Sequence, residues 1–205
     1  MAAVPQPRPF PVPTATPATG SPAAACRAIP AAVARATRRV RCGAARDHCS
    51  MTLQIGDPAP DFTLPDQNGA SVQLSSLRGK RVVIYFYPKD ATPGCTKEAC
   101  NFRDRWAEFE KHDIVVLGIS KDNAASHQRF IAKQTLPFTL LTDAEPCPVA
   151  SSFESYGLKK FMGREFMGMM RHTFVIDPQG QLELIYRKVK AEVMADQILA
   201  DLKLA

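Results

Sequence analysis

Six consecutive residues, Val82-Val83-Ile84-Tyr85-Phe86-Tyr87, are all β-branched or aromatic, and a run of that kind fits a strand buried on both faces. Ile114-Val115-Val116-Leu117-Gly118-Ile119 repeats the signal, with a helical pattern between the two. Strand, helix, strand in that order predicts parallel pairing through a crossover, the centre of an α/β fold.

Pro88 ends the first strand, and the chain then runs Pro88-Lys89-Asp90-Ala91-Thr92-Pro93-Gly94-Cys95. Thr92 is placed to cap a helix, Pro93 fixes a backbone angle suited to its first position, and Gly94 permits a close approach. Cys95 is therefore expected in the first turn of a helix reaching to about Lys111. Ala99, Phe102, Trp106 and Phe109 fall at steps of three and four and would pack on the sheet, which makes Trp106 a core residue. A thiol in a first helical turn faces unpaired N–H groups and the positive end of the helix dipole, both of which favour the thiolate.

The remaining elements frame this centre. Ile55 to Leu64 reads as an extended arm ending in a strand, and the turn Asp66-Gln67-Asn68-Gly69 before Val72 and Leu74 makes an N-terminal hairpin. Ser75 to Gly79 is a helical turn closed by glycine. Asp122 or Asn123 caps a helix from Ala124 to about Gln134, Phe138 to Leu141 is a third strand, and Val149 to Tyr156 a short helix. Phe174-Val175-Ile176 and Leu182 to Tyr186 form a hairpin across Asp177-Pro178-Gln179-Gly180. Ala191 to Leu202 closes the chain as an amphipathic helix with Val193, Ile198, Leu199 and Leu202 inward. The sum is an α/β sandwich on a central mixed sheet.

The net charge of +6 does not belong to this domain. Seven of the 26 basic residues and one of the 20 acidic residues fall in residues 1–50, so basic and acidic groups balance beyond them. No basic stripe with interleaved aromatics appears there, which sets nucleic acid aside. No stretch approaches the roughly 20 apolar residues that span a bilayer, so no membrane partner is expected. Residues 1–50, rich in Ala, Pro and Arg without hydrophobic periodicity, read as a disordered extension. They are either a transit peptide or residues added by a spurious upstream start, so the domain spans 51–205. The expected location is the cytoplasm, or the plastid stroma if the extension is a transit peptide. Cys26, Cys42 and Cys49 lie in the extension, leaving Cys95, Cys100 and Cys147 in the domain, an odd number that points to chemistry or bystanders rather than to structural bridges.

The pattern Pro88-x-x-x-Thr92-x-x-Cys95 resembles the peroxiredoxins. Cys100, five residues on, is similar to the peroxiredoxin Q or bacterioferritin comigratory protein subgroup, of the atypical two-cysteine kind. Asp57-x-Ala59-Pro60-x-Phe62 matches the family's opening, and Arg171-His172-Thr173-Phe174-Val175-Ile176-Asp177 its distal arginine strand. The resemblance implies a thioredoxin-like fold and a thiol-specific peroxidase acting on hydrogen peroxide or organic hydroperoxides, with a role in antioxidant defence and redox homeostasis. Cys95 would be the peroxidatic cysteine and pass through a sulfenic acid. Cys100 would be the resolving cysteine, forming a disulfide with Cys95 that a thioredoxin-type reductant reopens. Thr92, Arg171 and the Cys95 N–H would meet charge on the leaving oxygen, and Pro88 would shield the sulfenic acid. Read alone, Thr92 is an N-cap, Arg171 a surface residue on a strand and Cys100 a small buried hydrophobe.

Pairing of Cys95 with Cys100 carries a geometric demand. Residues five apart on a helix have Cα atoms about 8–9 Å apart, whereas a disulfide tolerates at most about 7 Å, so the helix start must unwind first. An intramolecular resolving thiol also permits a monomer. Neither metal nor organic cofactor is implied, and His112, His127 and His172 are too scattered to build a zinc site with the two cysteines. Glu98, one turn after Cys95, is placed to help hold the pocket. Cys147, between two prolines, reads as an unreactive loop cysteine or an alternative resolving thiol. The cluster Phe161, Met162, Phe166, Met167, Met169 and Met170 reads as a packed or partner-facing surface, or a lining for organic hydroperoxides. The rival from another class is a non-catalytic peroxide sensor or holdase, whose oxidised Cys95 a partner reads.

Overall fold

A computed structural model describes residues 52–161 and 163–204. The extension expected over residues 1–50 lies outside the described residues. Among the described residues no helix is long and apolar enough to cross a membrane.

The two apolar runs form β3 and β4 of the central sheet. Ahead of them, β1 (Thr63–Pro65) and β2 (Ser71–Gln73) make the expected antiparallel hairpin, and a 3-10 turn at Leu74–Leu77 leads on to β3 (Arg81–Phe86). The chain continues through α1 (Pro93–Asp104), α2 (Trp106–Lys111), β4 (Ile114–Ser120), α3 (Ala124–Gln134) and β5 (Thr139–Thr142). After α4 (Pro148–Ser152) come β6 (Tyr156–Phe161), β7 (Arg164–Met169), β8 (Thr173–Ile176), β9 (Leu182–Tyr186) and α5 (Met194–Asp201). The five-stranded sheet has the order β5-β4-β3-β8-β9. β3, β4 and β5 are parallel, while β8 lies antiparallel to β3 and β9 antiparallel to β8.

β3 divides the core because its side chains alternate between the two faces. Val82, Ile84 and Phe86 point to one side, with Phe62, Leu64, Phe153 and Phe174. Val83, Tyr85 and Tyr87 point to the other, against Ala99 and Phe102 of α1, Phe109 of α2, Phe130 of α3 and Ile198 of α5. Tyr85 sets the seat of α1: its ring stacks on Phe102 with centroids 4.9 Å apart. That ring fits only because its neighbour on β4 is Gly118, where a Cβ would come within 2.6 Å of the Tyr85 hydroxyl and of Leu140.

Three expectations need correction. The helix begins at Pro93 with Cys95 in its first turn, but instead of running unbroken to about Lys111 it breaks at Arg105, where φ is −100° and ψ 7°. Tyr156 belongs to a strand, because α4 ends at Ser152 and β6 pairs antiparallel with β7 in a separate ribbon. Val193 faces outward at 44 % exposure, and α5 buries Met194, Ala195, Ile198 and Leu199 instead. In the Phe/Met stretch Met169 is buried, whereas Phe166 and Met167 project into solvent beside Leu158; Met162 lies outside the described residues.

Candidate active site

The topology brings Cys95 and Arg171 together from 76 residues apart. β3 ends at Phe86 and the loop after it leads into α1, so Cys95 sits above the C-terminal end of the central strand. β8 runs antiparallel beside β3, with Tyr85 opposite Thr173, so the residues just before β8 lie at the same end. The Phe86 N–H donates to the His172 carbonyl at 2.8 Å and fixes the segment bearing Arg171 there.

Arg171 grips the first turns of α1 at three points. Nη2 donates to Cys95 Sγ at 3.2 Å, Nη1 to the Gly94 carbonyl at 3.3 Å, and Nη1 also to Glu98 Oε2. Gly94 is needed for this approach, since a Cβ there would stand 3.1 Å from Nη2. Cys95 is 1 % exposed and lies in the first helical turn, where backbone N–H groups lack intrahelical partners. The guanidinium thus stands as a ready counter-charge beside the sulfur.

The guanidinium bonds two acidic side chains, Glu98 and Cys95. Burial works against the charge of Arg171, but Glu98 and then Cys95 outweigh that and hold it above its ordinary value. Glu98 is fully buried, with Oε1 lacking any hydrogen-bond partner. Burial pushes its carboxyl up to about 7, the Arg171 charge pulling it only part of the way back. Lys159 of β6 donates to the Met169 carbonyl two residues before Arg171. Burial, and then the Arg171 charge, hold its ammonium below the ordinary range, with Cys95 acting in the opposite sense.

Thr92 occupies the N-cap position with extended backbone, but its side chain does not cap the helix; the hydroxyl donates to the Lys89 carbonyl at 3.1 Å. Pro88 lies half-buried in the same loop. Cys100 lies on α1 with Cys95, half-buried, its Sγ 3.6 Å from Gln134 Oε1, and all three described cysteines are free thiols. Cys147 belongs to the core on the opposite face of the sheet. Burial, followed by the charges of Asp143 and Glu145, pushes its thiol up to about 11, which disfavours a reactive thiolate at this position.

With that geometry in place, comparison with known proteins decides the family. The pattern of the AhpC/TSA family matches residues 55–185. The chain belongs to this family. Peroxiredoxin Bcp of Bacillus subtilis is 46% identical over 153 residues, covering 75% of this chain and 97% of that protein. Peroxiredoxin Bcp of Escherichia coli is 44% identical over 151 residues, 74% of this chain and 96% of its own length. Among solved structures, the Xanthomonas campestris bacterioferritin comigratory protein, described for its alkyl peroxide reduction activity, superposes with a TM-score of 0.67 at 37% identity. It covers 74% of this chain and 96% of its own. The chain is thus a peroxiredoxin of the Bcp or peroxiredoxin Q type, with the thioredoxin fold, and its activity is that of a peroxidase.

The close approach expected at Gly94 is made by Arg171, a partner that local spacing does not name. One feature of this peroxiredoxin escaped the sequence. A buried carboxylate at Asp90, bonded to Tyr87, Ser126 and His127, joins positions up to 37 residues apart. Burial raises the Asp90 carboxyl, but His127, Ser126 and Tyr87 together more than offset that and hold it below the ordinary range.

Proposed function

We propose that the chain reduces hydrogen peroxide and organic hydroperoxides to water and alcohols, with Cys95 as the attacking sulfur. The contact between the Arg171 guanidinium and Cys95 Sγ at the start of α1 carries this reading. The thiolate attacks one peroxide oxygen, an S–O bond forms and the O–O bond breaks. Its electron pair leaves on the second oxygen, which takes a proton and departs as water or an alcohol, while Cys95 becomes a sulfenic acid. Arg171 and the first-turn N–H groups of α1 meet the charge that builds on the oxygens, the Thr92 hydroxyl joins them by turning away from the Lys89 carbonyl, and Pro88 screens the product from water.

Cys100 then closes the disulfide. Both cysteines lie on α1, so the first turns of that helix unwind before the sulfurs meet. Unwinding has a natural limit at Asn101, whose Oδ1 accepts from the Ala195 N–H at 2.7 Å and whose Nδ2 donates to Asp196 at 2.8 Å, capping α5. The Cys100 thiolate attacks the Cys95 sulfur and the sulfenic oxygen leaves as water. A thioredoxin-type dithiol then takes up the disulfide's oxidising equivalents and restores both thiols. No thiol from a second subunit is required, so the cycle runs in a monomer.

The test is turnover of peroxide with thioredoxin, its reductase and NADPH. C95S abolishes it, whereas C100S permits one stoichiometric oxidation and then stops. Non-reducing peptide mapping of peroxide-treated wild type yields a Cys95–Cys100 disulfide. Loss of the first oxidation in both variants contradicts the division of roles, and a single oxidation without turnover in wild type favours a sensor over a peroxidase.

A further inference from the structure

The loop between β3 and α1 contains a fastening that the chemistry above does not use. Asp90 is 7 % exposed, and its carboxylate receives the Tyr87 hydroxyl at 2.8 Å, the Ser126 hydroxyl at 2.7 Å and His127 Nδ1 at 2.9 Å. Its backbone N–H donates to Asp122 Oδ2 at 2.7 Å, and Asp122 also accepts from the Ser120 hydroxyl. The loop is thereby bolted to the end of β4 and the first turn of α3.

The next residue is held under strain. Ala91 has φ of 55°, in the left-handed region where the Cβ of an L residue crowds the following carbonyl. An alanine side chain offers nothing that favours this conformation, so the surrounding bonds impose it. Four residues later Cys95 stands under Arg171, so the bend at Ala91 helps decide where the sulfur lies.

Building on the roles assigned to Cys95 and Cys100 above, we propose that Asp90 is a positioning residue for this reaction. Its bonds to Tyr87, Ser126 and His127 hold Ala91 in the strained bend that starts α1 in register with Arg171, and loosening them favours the unwound form in which Cys100 reaches Cys95. The fastening and the strain oppose each other. Asp90→Ala removes the fastening, so disulfide closure, which draws on the unwound population, accelerates about tenfold. Ala91→Gly removes the strain without touching the fastening, so closure slows several-fold. The double variant returns toward the wild-type rate.

Opposite signs from two neighbouring substitutions are not what general destabilisation produces. Closure is timed by quenched flow with non-reducing mass mapping. Attack on peroxide is timed separately in a Cys100→Ser background, where Asp90→Ala slows it a few-fold. Ser126→Ala removes a single bond and accelerates closure by a smaller factor, which keeps the test usable if Asp90→Ala fails to fold. Closure at the wild-type rate or slower in Ser126→Ala, or faster closure in Ala91→Gly, overturns the inference. Absence of a Cys95–Cys100 disulfide in wild type overturns the reading of the site itself, and is seen before any variant is compared.

Discussion

Cys95 and Cys147 are both buried thiols at the start of a helix, and each helix has a proline in its first turn, yet their surroundings differ in charge. Cys147 is the N-cap of a five-residue helix; its Sγ donates to the Asp143 carbonyl at 3.3 Å, and Asp143 and Glu145 stand nearby. Cys95 opens a twelve-residue helix and has the Arg171 guanidinium on its sulfur. A helix terminus contributes up to about 1–2 kcal/mol to an adjacent charge, which is small against the cost of burying an anion. The lesson is that the fixed cation separates the two sulfurs, with the helix start in support.

The largest test removes that cation. Arg171→Met is expected to slow oxidation of Cys95 by about 10²–10³-fold, the usual effect of deleting one donor to a developing oxyanion. Stopped-flow fluorescence of Trp106, the only tryptophan of the chain, follows the reaction from α2. A smaller effect comes from steric displacement with the charge retained. Gly94→Ala places a Cβ 3.1 Å from Arg171 Nη2, and a guanidinium shifted by a few tenths of an ångström lowers the same rate by about tenfold.

Glu98→Gln sharpens the comparison further, because it removes the anion that shares Arg171 with Cys95. Peroxide oxidation falls a few-fold as the guanidinium loses its buried anchor. The pH dependence of stability changes as well. The folded-state carboxyl sits at about 7 against an ordinary 4.5, so between these values the folded protein holds a proton that the unfolded chain releases. Glu98 therefore contributes stability that is complete below about pH 4.5 and lost as pH rises to about 7. Denaturant unfolding across that window shows a decline in wild type that is flattened in Glu98→Gln. The smallest effect belongs to Cys147→Ala, which leaves peroxidase turnover unchanged and costs about 1 kcal/mol of stability from the lost buried sulfur.

The centre of the fold was legible because β-branched runs and capping residues are local signals. β3, β4, a cap at Asp122 or Asn123 and both outer hairpins follow from them, and of the two cap candidates it is Asn123 that accepts from the Ser126 N–H. The break at Arg105 was hidden because Ala99, Phe102, Trp106 and Phe109 keep helical spacing across it. The β6–β7 ribbon was hidden for a different reason: with Leu158, Phe166 and Met167 exposed and Met169 buried, its strands lack the clean apolar–polar alternation that marks a half-buried strand. At the site, Cys95 and Arg171 stood out through the family pattern. Spacing alone placed Glu98 one turn beyond Cys95, but it could not place Glu98 against Arg171. Asp90 and His127 meet only after α3 folds back beside the loop, and no local pattern announces such a contact.

The most direct measurement traps sulfenic acid with dimedone after limiting peroxide, in a Cys100→Ser background, and maps the label by mass spectrometry with Arg171 intact and with Arg171→Met. The account predicts label on Cys95 with none on Cys147, and an Arg171→Met rate lower by at least about a hundredfold. Comparable labelling of Cys95 and Cys147, or an unchanged Cys95 rate without the guanidinium, would contradict it.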